Sequence, residues 1–352
     1  MKKTLSLLFI AVLVVSLLLG CGGGGGELLP TEMPTGTPTI MPTGTPTPIT
    51  LIEVVPQKAD MMALIDLSRI IEDEAIAELW EAMPLEPGDP QTVDELLELA
   101  MEESGLDLRD FGQGLMFGDI PEDAGDMEYL GILVKGTFEE SDLIATIESG
   151  AGEPFTTINY QGYRIYTDAY EEVGIAFLGS DALVIGPMEA VEDVIDVRRG
   201  DRTAISGNLL DMYNGLGDSL LKVAIVVPPE VVEEALQGIT AELPAGLPID
   251  LPLDALADIE TAGVSLAKNW QSIVLTIRMC FSSIESAEDV ETLISLVIMM
   301  AGAQPDVPEE ALELLEAVDV SIDGSCLDIS FEMTMSQIVD LIESAAEEES
   351  PW

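Results

Sequence analysis

Any chemistry in this chain has to be done without histidine and with only three cysteines, Cys21, Cys280 and Cys326. The missing imidazole removes Ser-His-Asp and Cys-His nucleophiles, histidine-ligated zinc and the side chain that ordinarily moves protons near neutral pH. Three cysteines also fall short of a four-thiolate zinc site. What remains is carboxylate, in quantity, with 66 Asp and Glu residues. Two acids facing one cleft would suffice for glycoside hydrolysis, but the sequence does not show which acids face each other. The densest group is Asp119, Glu122, Asp123, Asp126 and Glu128. Hard oxygen ligands packed this closely are a calcium candidate, read against the plain alternative of a solvated loop in an acidic protein.

Three local motifs offer chemistry and each has a structural reading that fits better. Ser265-Leu-Ala-Lys268 has the Ser-x-x-Lys spacing of penicillin-recognising enzymes, which place the serine at a helix start. Here Ala262, Val264 and Leu266 alternate as in a strand, and the companion Ser-Asp-Asn and Lys-Thr-Gly elements are missing. Arg199-Gly200-Asp201 stands where a helix needs its glycine cap, and the neighbouring arginines suit the negative end of the helix dipole. Asp319 to Ser330 carries acids and Gly324, yet Val320, Ile322, Leu327 and Ile329 alternate as a hairpin, and no glutamate closes a calcium loop.

Cys21 is chemistry of another kind. Met1-Lys2-Lys3, the apolar run Leu5 to Leu19 and then Leu18-Leu19-Gly20-Cys21 give a basic start, a short hydrophobic stretch and a small residue before a cut. The run is shorter than the roughly 20 residues a spanning helix needs. Leu-Leu-Gly-Cys resembles the lipobox of bacterial lipoproteins. That resemblance implies removal of residues 1–20, acylation of Cys21 and a soluble domain held at the extracytoplasmic face of a cell membrane or outer membrane. More than one acyl chain makes such an anchor stable.

Residues 21–55 are then a tether. Gly22 to Gly26 are followed by a repeated unit, Met33 to Ile40 and Met41 to Pro48, built on Pro-Thr-Gly-Thr-Pro-Thr. Such a segment cannot bury a core and favours extended polyproline II. About 30 such residues reach roughly 30 Å as a coil and approach 90 Å when extended. Beyond the leader, 11 basic residues face 66 acidic ones, a net charge of −55. Nucleic acid is excluded as a partner, because no basic face exists to neutralise phosphate. An anionic membrane surface would repel the domain too. Yet 47% of the residues are hydrophobic, enough for a packed core.

The elements that must position all this read as α+β, two similar units of antiparallel sheet with helices on one face. The first unit spans 56–205 and the second 206–347, before an acidic tail at 348–352. Met61–Asp66 reads as a buried strand, Tyr129–Thr137 as another, and 156–167 and 173–185 as two hairpins. Helices are predicted at Ile76–Met83, after the Thr92 capping box, at Ser141–Glu148 and from Pro187 to Gly200. The pattern recurs about 143 to 161 residues later. There Lys222–Val227 leads into a helix at Pro229, Ile273–Phe281 into one at 286–301, and a hairpin at 318–331 into one at Ser336. A short helix at 308–317 takes the place of the 156–167 hairpin. Leu293 to Ala301 is apolar nearly all round and is read as a core helix, with the wall of an acyl-chain pocket as the sharper alternative. Cys280 and Cys326 project from the less apolar faces of two strands of one repeat, which suggests a disulfide in an exported protein.

The stretches "ADMMALIDL", "YQGYRIYTD", "FLGSDALVIGPMEAVEDVID" and "GDSLLKVAIVV" resemble a large family of exported bacterial and archaeal proteins of duplicated α+β fold. That resemblance implies a fold and brings no catalytic residue. The expectation is a membrane-anchored, non-enzymatic binding or interaction module of the cell envelope, with no cofactor. Its partner is an envelope protein or a hydrophobic ligand. A carrier or chaperone for a lipid is the alternative, and a carboxylate-dependent hydrolase the second.

Overall fold

The computed structural model describes residues 49–83, 89–120, 129–242, 252–302 and 317–339. The leader, Cys21, most of the tether, Glu122, Asp123, Asp126, Glu128, all but the last residue of the helix at 308–317 and the tail at 348–352 lie outside them.

Among the described residues, twelve strands form one antiparallel sheet in the order β11-β12-β10-β9-β8-β1-β2-β3-β7-β6-β5-β4. In chain order they are β1 (Met61–Asp66), β2 (Phe111–Gly118), β3 (Leu130–Gly136), β4 (Thr156–Tyr160), β5 (Tyr163–Thr167) and β6 (Val173–Phe177). The rest are β7 (Ala182–Pro187), β8 (Leu221–Val226), β9 (Ile259–Asn269), β10 (Ser272–Phe281), β11 (Val318–Asp323) and β12 (Cys326–Thr334). Reading outward from the β1–β8 pair, β1, β2, β3, β7, β6 on one side mirror β8, β9, β10, β12, β11 on the other. Ala63 opposite Val223 is the centre of this pseudo-twofold. Among the described residues the β4–β5 hairpin has no counterpart; the stretch the sequence puts in its place, 308–317, lies outside them but for its last residue. The two similar units therefore join edge to edge into one continuous sheet.

The helices are α1 (Leu67–Ile71), α2 (Glu74–Ala82), α3 (Val93–Ser104), α4 (Glu140–Ala151), α5 (Met188–Arg199), α6 (Asn208–Gly215), α7 (Pro229–Glu242) and α8 (Ile284–Gly302). Their ends follow local chemistry. Asp73 caps α2 by accepting from the Ala75 and Ile76 amides, and Thr92 caps α3 by accepting from the Glu95 amide. Gly105, Gly152 and Gly200 close α3, α4 and α5 in the left-handed region. The Gln161-Gly162 turn has positive φ at both residues, as a two-residue hairpin wants.

Strand alternation sends residues to two faces. One face carries Met62, Leu115, Phe117, Leu133 and Val184, and is sealed by Val191, Val194 and Ile195 of α5 and Leu209 and Met212 of α6. The other face is packed near one end, where Leu143, Ile144 and Ile147 of α4 meet Val134, Ile175 and Leu183. It is packed again near the far end, where Ala287 and Val290 of α8 meet Phe281 and Leu327. So α4 and α8 are equivalent in the repeat, and a helix begins at 335–339, where the repeat places the counterpart of α5.

The tether ends earlier than residue 55. Ile49, Leu51, Val54 and Val55 are all buried, with Leu51–Val54 forming a 3-10 turn against α5. The apolar run Ile49-Thr-Leu-Ile-Glu-Val-Val55 gives the burial a physical cause, since leaving it in water would forgo roughly 25 cal/mol for each Å² of apolar surface. Lys135 Nζ donates to the Ile49 carbonyl at 3.2 Å, so the strap is held by polar contact as well.

Cys280 and Cys326 face each other across the β10–β12 pair and are disulfide-bonded, with Cα atoms 4.0 Å apart. The bridge closes a sequence separation of 46. In the loop-entropy picture that is about 4 kcal/mol, with about 2–4 kcal/mol usually realised. Cys280→Ser should lower denaturant stability by that amount, read as a lower midpoint with a slope that holds or rises as the unfolded chain expands.

Candidate functional site

The sheet places one apolar row across nearly its whole width. Tyr166, Ile175, Ile185, Ile132, Met116, Ala63, Val223, Val264, Ile277, Ile329 and Val320 are successive register partners on a single face. Its two ends are packed under α4 and α8. Between them the cover thins, because Val264, Leu275 and Ile277 on β9 and β10 are 37%, 37% and 38% exposed. Apolar side chains at mid-strand of a central sheet are ordinarily covered, so a contiguous exposed set marks a binding surface.

α8 carries a second exposed apolar set. Its first half rests on the sheet through Ala287, Val290 and Ile294. Its last turns carry Val297, Met299 and Met300, which are 57%, 64% and 45% exposed. The core-helix reading of Leu293 to Ala301 is therefore corrected for these residues. The helix has too much apolar surface for one sheet contact, so the excess faces outward. Methionine suits such a surface, being flexible and polarizable.

On the opposite face lies an ionic cluster built around one buried acid. Asp193 of α5 is fully buried, with side-chain exposure of 1%. Its Oδ2 accepts from Tyr129 Oη at 3.2 Å and pairs with Lys58 Nζ at 3.0 Å. Its Oδ1 meets the Arg202 guanidinium as an ion pair without hydrogen-bond geometry. Lys58 also pairs with Glu189, lies 3.5 Å from the Tyr129 ring centroid, and Arg202 reaches Asp196. Tyr160 Oη donates to the Asp196 carboxylate. Burial, reinforced by the Asp193 carboxylate, pushes the Tyr129 phenol far above its ordinary range. Burial and the neighbouring Asp196 and Asp193 likewise raise Glu192. Desolvation pulls the Lys58 ammonium down, but Glu189 and Asp193 outweigh it and hold it above its usual value. Asp193 and Asp196 are buried and engaged, while Glu189 and Arg202 reach solvent. The cluster ties the 49–58 strap to α5.

The sequence candidates fall as follows. Ser265 is buried on the α6 side of β9, while Lys268, three residues on, projects to the other face and pairs with Asp73. Opposite strand faces rule out a Ser-Lys dyad. Arg199-Gly200-Asp201 is a helix cap, with Gly200 at φ 81° and Arg199 Nε donating to Asp201 Oδ2 at 2.9 Å. Of the proposed calcium ligands only Asp119 lies within the described residues, and among those residues no cluster of three potential metal ligands forms. No described helix is long and apolar enough to cross a membrane.

Two features had no local motif to reveal them. Asp193 sits inside an α5 stretch that reads as an ordinary acidic helix face. Trp270 stands at the tip of the β9–β10 hairpin, 90% exposed and at φ 55°. It is the first of two loop residues between the paired Asn269 and Ser272, where glycine is the favoured residue of a type II′ turn. A bulky residue held there costs about 1–3 kcal/mol.

No protein-family profile and no characterised protein matches the sequence. Three crystal forms of TP0453 (III, I and IV) resemble the structure with TM-scores of 0.43 and sequence identities of 9%, 10% and 11%. Each comparison covers 84% of this chain and 97–99% of that one. A likeness this distant bears on neither activity nor ligand.

Proposed function

We propose that this protein is a lipid-anchored, non-enzymatic binding module on the extracytoplasmic side of a cell membrane, and that its ligand is a hydrophobic molecule. The observation that carries the ligand class is the exposed apolar set Val264, Leu275 and Ile277, together with the exposed apolar end of α8. This surface favours the carrier form of the module over one that reads polar surfaces. Anchoring rests on Cys21 and the basic-apolar leader before it. The non-enzymatic reading is supported by the absence of histidine and by the engagement of Asp193 and Asp196 with cations and tyrosines. With a net charge of −55 once residues 1–20 are removed, this surface should prefer neutral ligands to anionic ones.

The neutral apolar fluorophore 1-N-phenylnaphthylamine is a direct probe. It should bind the native protein with enhanced emission. Ile277→Glu and Val264→Glu, which put a charge in the open row, should each weaken it by about tenfold or more. Both positions are more than a third exposed, so the fold should survive, as circular dichroism would check. Equal binding by the native and both variant proteins would remove the open row as the ligand surface.

A further inference from the structure

The exposed tryptophan has a second setting. Around it, at the end of the sheet where β9 turns into β10, Arg69, Glu72, Asp73, Leu220, Lys268 and Trp270 line a cleft of about 360 Å³. That volume lies at the lower end of the range for small-molecule sites, about 300–1,000 Å³. The cleft adjoins the open apolar row on the same face of β9, since Lys268 lies two positions beyond Leu266, the register partner of Leu275, but its own lining is polar. We propose that it is a binding site for a neutral saccharide.

The argument is one of matching chemistry. Two of the chain's 13 basic residues converge here, yet neither brings an unopposed charge. Arg69 Nη1 donates to Asp218 Oδ1 at 2.7 Å, and Lys268 Nζ pairs with Asp73. Glu72 adds another carboxylate at the rim. The lining therefore offers donors and acceptors side by side at close charge balance, in a protein that is otherwise strongly acidic. An anion finds no net positive field there, and an apolar ligand finds little apolar wall, since Leu220 is itself buried. A sugar hydroxyl both donates and accepts, so it can bridge the charged pairs without upsetting them.

Trp270 supplies the remaining half of the site. Its indole is 90% exposed beside the cleft, and an aromatic face carries negative charge density that attracts the C–H face of a sugar ring. Asp73 is fixed by its two amide contacts at the start of α2, and Lys268 is fixed by Asp73. The polar side is thus preorganised against the aromatic platform. The backbone conformation at Trp270, which suits glycine better, makes the choice of a large aromatic hard to explain as a turn requirement.

The test uses the full chain in a detergent without a sugar headgroup, with Trp80→Phe and Trp352→Phe so that Trp270 alone reports. Chitobiose and maltose are the neutral probes and digalacturonate the anionic one. At least one neutral disaccharide should change the emission saturably, with a Kd of about 1 mM or below, and digalacturonate should bind less well. Glu72→Ala should weaken binding by about threefold or more. Trp270→Gly, followed by calorimetry, should abolish binding while the melting temperature holds or rises, which separates loss of a platform from loss of fold. No saturable response to either neutral sugar would overturn the proposal. So would an emission shift produced by phosphatidylcholine vesicles alone, which would make Trp270 a contact with the membrane surface.

Discussion

Asp193→Ala should lower the stability of the folded domain by about 1–3 kcal/mol, mainly the cost of leaving the buried Tyr129 hydroxyl without its acceptor, because Lys58 and Arg202, 37% and 51% exposed, can turn to water. The side chain is enclosed, and it is met by Lys58, Arg202 and the Tyr129 hydroxyl. These come from three separate parts of the chain, so the substitution loosens more than one contact. Lys58 and the strap before it lose their tie to α5, which should open the 49–58 segment to protease sooner than the sheet. Asp193→Asn keeps the shape and removes the charge, and should fall between native and alanine. Denaturant unfolding measures the loss, and Glu230→Ala on the exposed start of α7 serves as the control. A loss under about 1 kcal/mol would mean that the cluster is incidental to the fold.

Cys21→Ser should leave the protein unprocessed or shed, without its acyl chains. The proposed anchoring leaves no second strong attachment, because the domain carries a net charge of −55 once residues 1–20 are removed and is repelled by anionic headgroups. Acylation on one residue by more than one chain holds a soluble domain stably, whereas a single chain is marginal. Growth with a fatty-acid analogue should label the native protein and leave the serine variant unlabelled. Equal labelling of both would contradict the anchor.

Much of the fold was legible because local and global signals agree in it. Strand patterning in Met61–Asp66, Val173–Phe177 and Cys326–Thr334, the Thr92 cap and the Gly200 stop each state their element without tertiary help. The repeat was legible too, and it foretells the mirrored order of strands about Ala63 and Val223. What it does not foretell is that the halves share one sheet, since edge pairing of β1 with β8 leaves no mark in either strand. The strap at Ile49–Val55 carried a signal, an apolar run after the Pro-Thr repeat, which was outweighed by its neighbours' composition. Asp193 carried none. Its burial depends on Lys58, 135 positions away in the numbering, and helical periodicity alone places it on a charged face. The open row over Val264 and Ile277 was equally hidden, because exposure there is set by what covers the sheet and not by the strands themselves. The apolar excess of Leu293 to Ala301 was visible, and its outward-facing part is what the sequence reading placed in the core.

The central claim is that a hydrophobic ligand binds the exposed apolar set on β9 and β10. Native mass spectrometry of the full-length protein, extracted gently from membranes, tests this most directly. The account predicts one apolar molecule per chain beyond the covalent acyl groups, retained by native protein and lost from Ile277→Glu with the fold intact. A chain that carries only its covalent acyl groups, identical in mass increment for native and variant protein, would contradict it.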